Sequence, residues 1–250
     1  MLKYTFLLTI SLITCTAFSQ AVSPNVFYES EIVRRQYEVG VTRDELWAIR
    51  KQEIIDSYDA IKTLKNGTLV FLLNFKKNEY DYYLKYGNTK AAKKLKEEQA
   101  KVNKNIILAM DSLFTFCPVI YVSTNDARHL LNKNYDSLTF YNSNLETNNT
   151  AQLREGTFLI GEFGHIEADE AVYSVSDSIN KNYGENKTYL NALVIRKPNM
   201  RQLRKPFPYY QKYFPLGLVN KRYKRPARLL NLEMNRYFNK GEPTFVRKGK

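Results

Sequence analysis

The chain has 250 residues, 44% of them hydrophobic, and a formal net charge of +13. This length is enough for one large domain whose core needs no disulfide staples. There are only two cysteines, Cys15 and Cys117, which excludes a disulfide framework and a paired-cysteine redox motif. Cys117 lies in an apolar run and is predicted to be a buried structural thiol.

The amino terminus has the order of a secretory signal peptide. A charged start precedes an apolar run from Leu7 to Ala17, and Ala17 and Ser19 occupy the positions that a signal peptidase reads. We therefore expect residues 1–19 to be removed and the mature protein to be exported, either periplasmic or secreted. Two alternatives are an uncleaved anchor and lipid attachment through Cys15, whose surroundings are close to a lipobox. No later segment is apolar enough to be a transmembrane segment of the mature chain.

Residues 20–41 show no strong periodicity and are predicted to be a loosely ordered lead-in. The spacing from Thr42 to Glu45 is that of a capping box, and it begins a predicted helix over 43–64. Irregular spacing of the apolar residues allows a break in the middle of this helix. Asn66-Gly67 is predicted to end it, because both residues tolerate the left-handed conformation.

Two apolar runs, 68–75 and 119–123, predict strands buried on both faces. Between them, apolar residues recur at helical spacing over 89–114, and a tyrosine-rich segment ending at Gly87 predicts a further turn of helix. The order strand, helix, strand predicts a βαβ unit with a parallel pair and a right-handed crossover.

The second half of the chain alternates short strands with turns. The predicted strands are 138–141, 157–163, 171–176 and 190–196, with a short helix over 125–131 and a last helix over 226–238 that Gly241 stops. The predicted fold class is α/β (α+β): a mixed sheet started by the βαβ unit, extended by antiparallel strands and covered by helices. Residues 42–240 are predicted to form a single domain, with a frayed tail at 241–250.

The segment from Glu162 to Glu170 is an acidic cluster that encloses a histidine. Glu162, His165 and Glu167 are the candidate catalytic residues of an envelope hydrolase, with or without a divalent metal. Their spacing matches no zinc signature, and the charges fit the solvated end of a strand equally well, so no metal is predicted. The chain has no P-loop, GxGxxG or GxSxG motif, and no cofactor is predicted.

The stretch between Glu185 and Glu233 contains twelve lysines and arginines and no acidic residue. Tyrosine and phenylalanine interleave with these cations, a mixture that attracts anions and offers rings for stacking. The predicted anion-binding residues are Arg201, Arg204, Lys205, Lys212, Arg222, Lys224 and Arg225. An alternative is a proline-pinned surface segment whose rings pack on the sheet while its charges maintain solubility.

An exported protein meets the polyanions of the cell envelope. The expected partners are therefore an anionic envelope component, such as a glycan, a lipid headgroup or lipopolysaccharide, or else a protein partner. Nucleic acid is not expected as the partner in this compartment.

The signal-peptide ending at 17–20 and the runs 61–67 and 114–119 resemble uncharacterised secreted proteins of Bacteroidetes-type bacteria. The resemblance covers about residues 60–125 and implies an exported location and the βαβ start, but no activity. The first functional hypothesis is an exported bacterial envelope protein that binds a partner through its basic aromatic region without catalysing a reaction. The alternative is an envelope hydrolase that uses the Glu162–Glu170 cluster.

Overall fold

The computed structural model describes residues 42–148, 153, 156–166, 191–213 and 219–241. Within these ranges six strands form one mixed sheet on which helices pack, so the predicted fold class is confirmed. The predicted signal peptide at 1–19, the lead-in at 20–41, the strand at 171–176 and the tail after Gly241 lie outside the described residues.

The helices are α1 (Arg43–Asn66), α2 (Lys77–Lys85), α3 (Thr89–Leu113), α4 (Ala127–Leu131), α5 (Val219–Arg222) and α6 (Lys224–Asn239). The strands are β1 (Thr68–Leu73), β2 (Val119–Ser123), β3 (Phe140–Tyr141), β4 (Phe158–His165), β5 (Asn191–Arg196) and β6 (Tyr210–Lys212). None of the described helices combines the length and the apolarity that crossing a membrane requires.

The sheet has the strand order β3-β2-β1-β4-β5-β6. β1 is parallel to β2, with Leu69 opposite Val119, so the predicted parallel pair is confirmed. β4 lies on the other side of β1 and is also parallel to it. β5 and β6 continue the sheet in antiparallel pairing, so the antiparallel extension on this side begins with β5 rather than with β4.

Side chains alternate across β1 between two apolar clusters. Leu69, Phe71 and Leu73 belong to the larger cluster, which includes buried residues of α1, α3 and α6. Val70 and Leu72 belong to a smaller cluster on the opposite face, together with residues of α4 and β3. Burial on both faces explains why β1 is apolar from Leu69 to Leu73 instead of alternating with polar residues.

Helix α1 starts at a capping box and ends at a close approach between two backbone segments. α1 begins with the predicted capping box, since the Thr42 hydroxyl accepts from the Glu45 amide and the Glu45 carboxylate accepts from the Thr42 amide. The helix then runs unbroken to Asn66. Gly67 has φ −123°, so the expected left-handed conformation is wrong. A Cβ at Gly67 would lie 1.8 Å from the carbonyl oxygen of Thr157, and this proximity requires glycine.

Helix α6 begins at Lys224, two residues before the predicted start at Pro226. Pro226 still lies in the first turn, where a missing backbone N–H breaks no helical hydrogen bond. The helix ends as predicted, because Gly241 adopts φ +71° and its amide donates to the Phe238 carbonyl at 3.1 Å.

Candidate anion-binding groove

A groove of about 900 Å³ lies between edge strand β6, together with the segment 205–209 before it, and helices α5 and α6. β6 is the last strand in the sheet order, so its outer edge has no strand partner among the described residues. The charged side chains that line the groove are Lys205, Lys212, Lys221, Arg222, Arg225, Arg236, Lys240 and Glu233. This described lining thus combines seven cations with one carboxylate.

Aromatic rings form much of the remaining lining. Four of them are tyrosines, namely Tyr209, Tyr210, Tyr213 and Tyr237. The ring centroids of Tyr209 and Tyr210 are 4.8 Å apart, and that of Phe207 is 6.3 Å from Tyr237. Phe207 is fully buried, whereas the tyrosines are half-buried. Phe207 therefore fixes this segment to the core, and the tyrosines remain partly accessible beside it.

Tyr223 anchors the junction between α5 and α6 to the sheet. It is buried, and its ring centroid is 4.7 Å from that of Phe163 in β4 and 6.1 Å from that of Tyr213. Burial raises the pKa of the Tyr213 hydroxyl, the neighbouring Tyr223 raises it further, and the charge of Arg222 opposes this rise. The ring contacts of Tyr223 with Phe163 and Tyr213 hold the backbone next to Arg222 in place.

Arg222 lines the groove, and part of its guanidinium is buried. Its Nε is buried and has no hydrogen-bond partner among the residues that the structure describes. The side chain as a whole is half-buried, while Lys212, Lys221 and Arg225 are exposed. Buried donors almost always have partners in native proteins, so this one identifies a place where an acceptor would be stabilising.

Glu233 connects the two walls of the groove. The Gln211 side chain of β6 donates a hydrogen bond to the Glu233 carboxylate of α6. Burial raises the pKa of this carboxyl, while the hydrogen bond from Gln211 and the charge of Arg236 oppose the rise. The Glu233 carboxylate therefore repels an anion that the surrounding cations attract.

Four of the seven predicted anion-binding residues line the groove: Lys205, Lys212, Arg222 and Arg225. The other three do not. Arg204 lies 3.9 Å from Glu53 of α1, and Arg201 and Lys224 are exposed outside the groove lining. The basic region is thus divided among residues paired with α1, residues of the groove and exposed cations outside both.

Arg236 and Lys240 line the groove but were not among the predicted residues. Both follow Glu233 and so fall outside the acid-free stretch. Arg236 lies in α6 and Lys240 directly follows its last residue, and both continue the series Arg225, Leu229, Glu233 at intervals of three or four residues. That helical spacing is the sequence signal that identifies them.

None of the described residues of the acidic cluster lines the groove. The Glu162 carboxylate accepts from Arg196 Nε at 2.7 Å. Along β4, Glu162 and His165 are an odd number of positions apart, so their side chains point to opposite faces of the sheet. Glu167 and Glu170 lie outside the described residues. The described residues contain no group of three metal-ligating side chains.

Cys117 is buried, as predicted. Burial raises the pKa of its thiol to about 12, against smaller opposing effects of a hydrogen bond at Leu69 and the charge of Lys65. A thiol with this pKa is protonated at neutral pH and is a poor nucleophile.

Comparisons with known protein families, with curated proteins and with solved structures give no match for this chain. The geometry and chemistry of the groove are therefore what indicates a function for this chain.

Proposed function

We propose that this protein is an exported envelope protein that binds an anionic ligand in the groove between β6 and α6, without catalysing a reaction. The observation that carries this proposal is the concentration of seven cations and a single carboxylate on the described lining of one groove. Like charges held together repel one another, and an anionic ligand relieves that repulsion.

The basic residues outside the groove provide a contrast. Helix α1 provides Asp56 and Glu53 as partners for two of them. The Lys197 ammonium nitrogen lies 3.3 Å from an Asp56 carboxylate oxygen, and an Arg204 guanidinium nitrogen lies 3.9 Å from a Glu53 carboxylate oxygen. Where the basic segment packs on this helix, the fold supplies acidic partners. The groove wall formed by α5 and α6 supplies Glu233 alone among its described lining. This difference favours a ligand as the source of the missing negative charge.

The expected ligands share one chemistry. A glycan, a lipid headgroup and lipopolysaccharide all present carboxylate or phosphate groups to a protein surface. The hydrolase alternative receives less support from the described residues, because Glu162 is paired with Arg196 and points away from His165.

The proposal is tested by binding of dextran sulfate, with uncharged dextran as the reference ligand. The variant Lys221→Gln/Arg225→Gln removes two exposed groove cations from one short segment. We expect about tenfold weaker binding of dextran sulfate, since each exposed charge contact contributes up to about 1 kcal/mol. Dextran should not bind, and the affinity of the unmodified protein for dextran sulfate should fall as salt is added.

The matched control is Lys224→Gln/Arg228→Gln. These two cations are exposed in the same segment, have the same spacing and lie outside the groove lining. Their removal should leave the affinity nearly unchanged. Equal losses in the two variants would show that net charge, not the groove, determines binding, and the proposal would be wrong.

A further inference from the structure

We infer that the ligand of the groove is an acidic oligosaccharide, whose sugar rings stack on the groove tyrosines and whose carboxylates bind at Arg222. This inference rests on the proposed function, because it names the class of anion that the same groove takes.

Charge alone does not explain the four half-buried tyrosines of the lining. A simple inorganic polyanion needs cations and gains little from aromatic rings. A tyrosine ring has an apolar face and a polar hydroxyl edge, and it loses little conformational freedom on binding. A sugar ring has the complementary surface, with C–H groups on its faces and hydroxyls at its rim.

The shape of the site favours an extended chain over a bilayer surface. The tyrosines line a concave groove between a strand and a helix, where a flat layer of headgroups cannot follow them. A linear oligosaccharide is narrow enough to lie along such a groove. It carries several charges at regular intervals, which matches cations spread over both walls.

The mutual tilt of the rings favours sugars over bases. The ring planes of Tyr209 and Tyr210 are inclined by 55°. Successive bases of a nucleic acid stack best on platforms that are nearly parallel. Sugar rings joined by rotatable glycosidic bonds present their faces at different angles, as this lining requires.

Arg222 is the cation best suited to recognise a carboxylate. Its side chain is half-buried and its Nε has no hydrogen-bond partner in the described part of the chain, whereas Lys212, Lys221 and Arg225 are exposed. A side chain that is already ordered loses less entropy on binding. The planar fork of arginine matches the two oxygens of a carboxylate.

The test compares two ligands of similar charge, hexagalacturonate and a linear polyphosphate, on the purified full chain. We expect at least about tenfold tighter binding of hexagalacturonate. Tyr210→Leu keeps an apolar side chain in the groove but removes the ring, so it should weaken hexagalacturonate binding several-fold and leave polyphosphate binding unchanged. The matched control is Tyr82→Leu, which removes an exposed ring on α2.

Arg222→Lys keeps the charge but removes the fork. It should weaken hexagalacturonate binding about tenfold while polyphosphate binding changes less than twofold. The thermal melting curve of this variant identifies any loss of fold. If Arg222→Lys does not fold, Tyr210→Leu still decides the inference.

The remaining outcomes separate this inference from the proposed function. Equal affinity for the two ligands, with no effect of Tyr210→Leu, would overturn the inference. Tighter binding of single-stranded DNA or of phosphatidylglycerol vesicles than of hexagalacturonate would overturn it as well. In each of these cases the proposed function stands if Lys221→Gln/Arg225→Gln still weakens anion binding, and it fails if no anion binds.

Discussion

Arg196 and Glu162 form an ion pair across neighbouring strands β5 and β4. Arg196 is only 8% exposed, and its guanidinium also donates to the Met200 carbonyl at 3.2 Å. A buried guanidinium is tolerated because these acceptors surround it. Loss of the carboxylate would leave a buried charge without its counter-ion, which is the costly case for an internal ion pair.

Glu162→Gln is expected to lower the free energy of unfolding by about 3 kcal/mol, the lower end of the range for a broken buried pair. The lower end applies because the Glu162 side chain is 24% exposed. Urea denaturation measures the change. Glu97→Gln provides the control, since Glu97 pairs with Lys93 on the surface of α3, and its loss should cost less than about 0.5 kcal/mol. If the two variants are equally stable, the ion pair has no structural role.

At the scale of residues, sequence reasoning succeeds where the local surroundings decide. The apolar run around Cys117 was enough to predict a buried thiol. Glu162 was grouped with His165 because the two are close in sequence, yet strand alternation separates them and the register of β4 on β5 brings Glu162 to Arg196. Without the register, a partner on another strand cannot be identified.

The turn between α1 and β1 allows a prediction at the scale of elements. Gly67→Ala would place a methyl group 1.8 Å from the Thr157 carbonyl oxygen, so the start of β4 must move away from β1. We expect a loss of at least about 3 kcal/mol in the free energy of unfolding. Chemical denaturation monitored by circular dichroism measures it.

Gly87→Ala is the matched control for this substitution. Gly87 has φ +72°, and a Cβ there meets no atom within 4 Å, so the cost is limited to backbone strain of about 1 kcal/mol. A Gly67→Ala variant as stable as Gly87→Ala would contradict the close approach described for this turn.

Elements with a local signature were predictable from the sequence. β2 has the predicted bounds, and α3 ends one residue before the predicted end, because apolar spacing and flanking turn residues define both.

Strand β6 was not predicted from the sequence. It follows Pro206 and Pro208, which cannot donate backbone hydrogen bonds, and its three residues show no apolar alternation. Its pairing with β5 makes it a strand, and that pairing is a tertiary contact.

The positive charge of the whole molecule is unevenly placed, and the groove is where this matters. Sequence reasoning identified the basic region, because the absence of acids over 186–232 is a property of composition. It could not separate Lys224 from Arg225, which are adjacent in sequence and face different surroundings on α6. The direction of a side chain on a helix determines which of two neighbouring cations a ligand can reach.

The groove should bind anions more tightly at acidic pH. The pKa of Glu233 is raised by burial, so its carboxyl takes up a proton above the usual glutamate value of about 4.3. Protonation removes the one negative charge of the described lining. We expect the affinity for dextran sulfate, whose sulfates stay ionised, to rise as the pH is lowered toward the raised pKa of Glu233, by about threefold once the carboxyl is protonated.

Glu233→Gln should bind more tightly than the unmodified protein at neutral pH and should lose most of the pH dependence. Any pH dependence that remains in Glu233→Gln comes from groups other than Glu233. Glu97→Gln, an exposed substitution on α3, should behave like the unmodified protein. An unaltered pH profile in Glu233→Gln would assign the effect to a group other than Glu233.

The central position of β1 has a consequence for how the chain reaches its native state. β1 is synthesised early, but its neighbours in the sheet begin only at Val119 and Phe158. Until β2 has left the ribosome, this apolar strand has two unpaired edges, and until β4 follows it still has one, a situation that favours aggregation. Lys65, Lys76 and Lys77 stand on either side of this strand, where charged flanking residues discourage association between nascent chains.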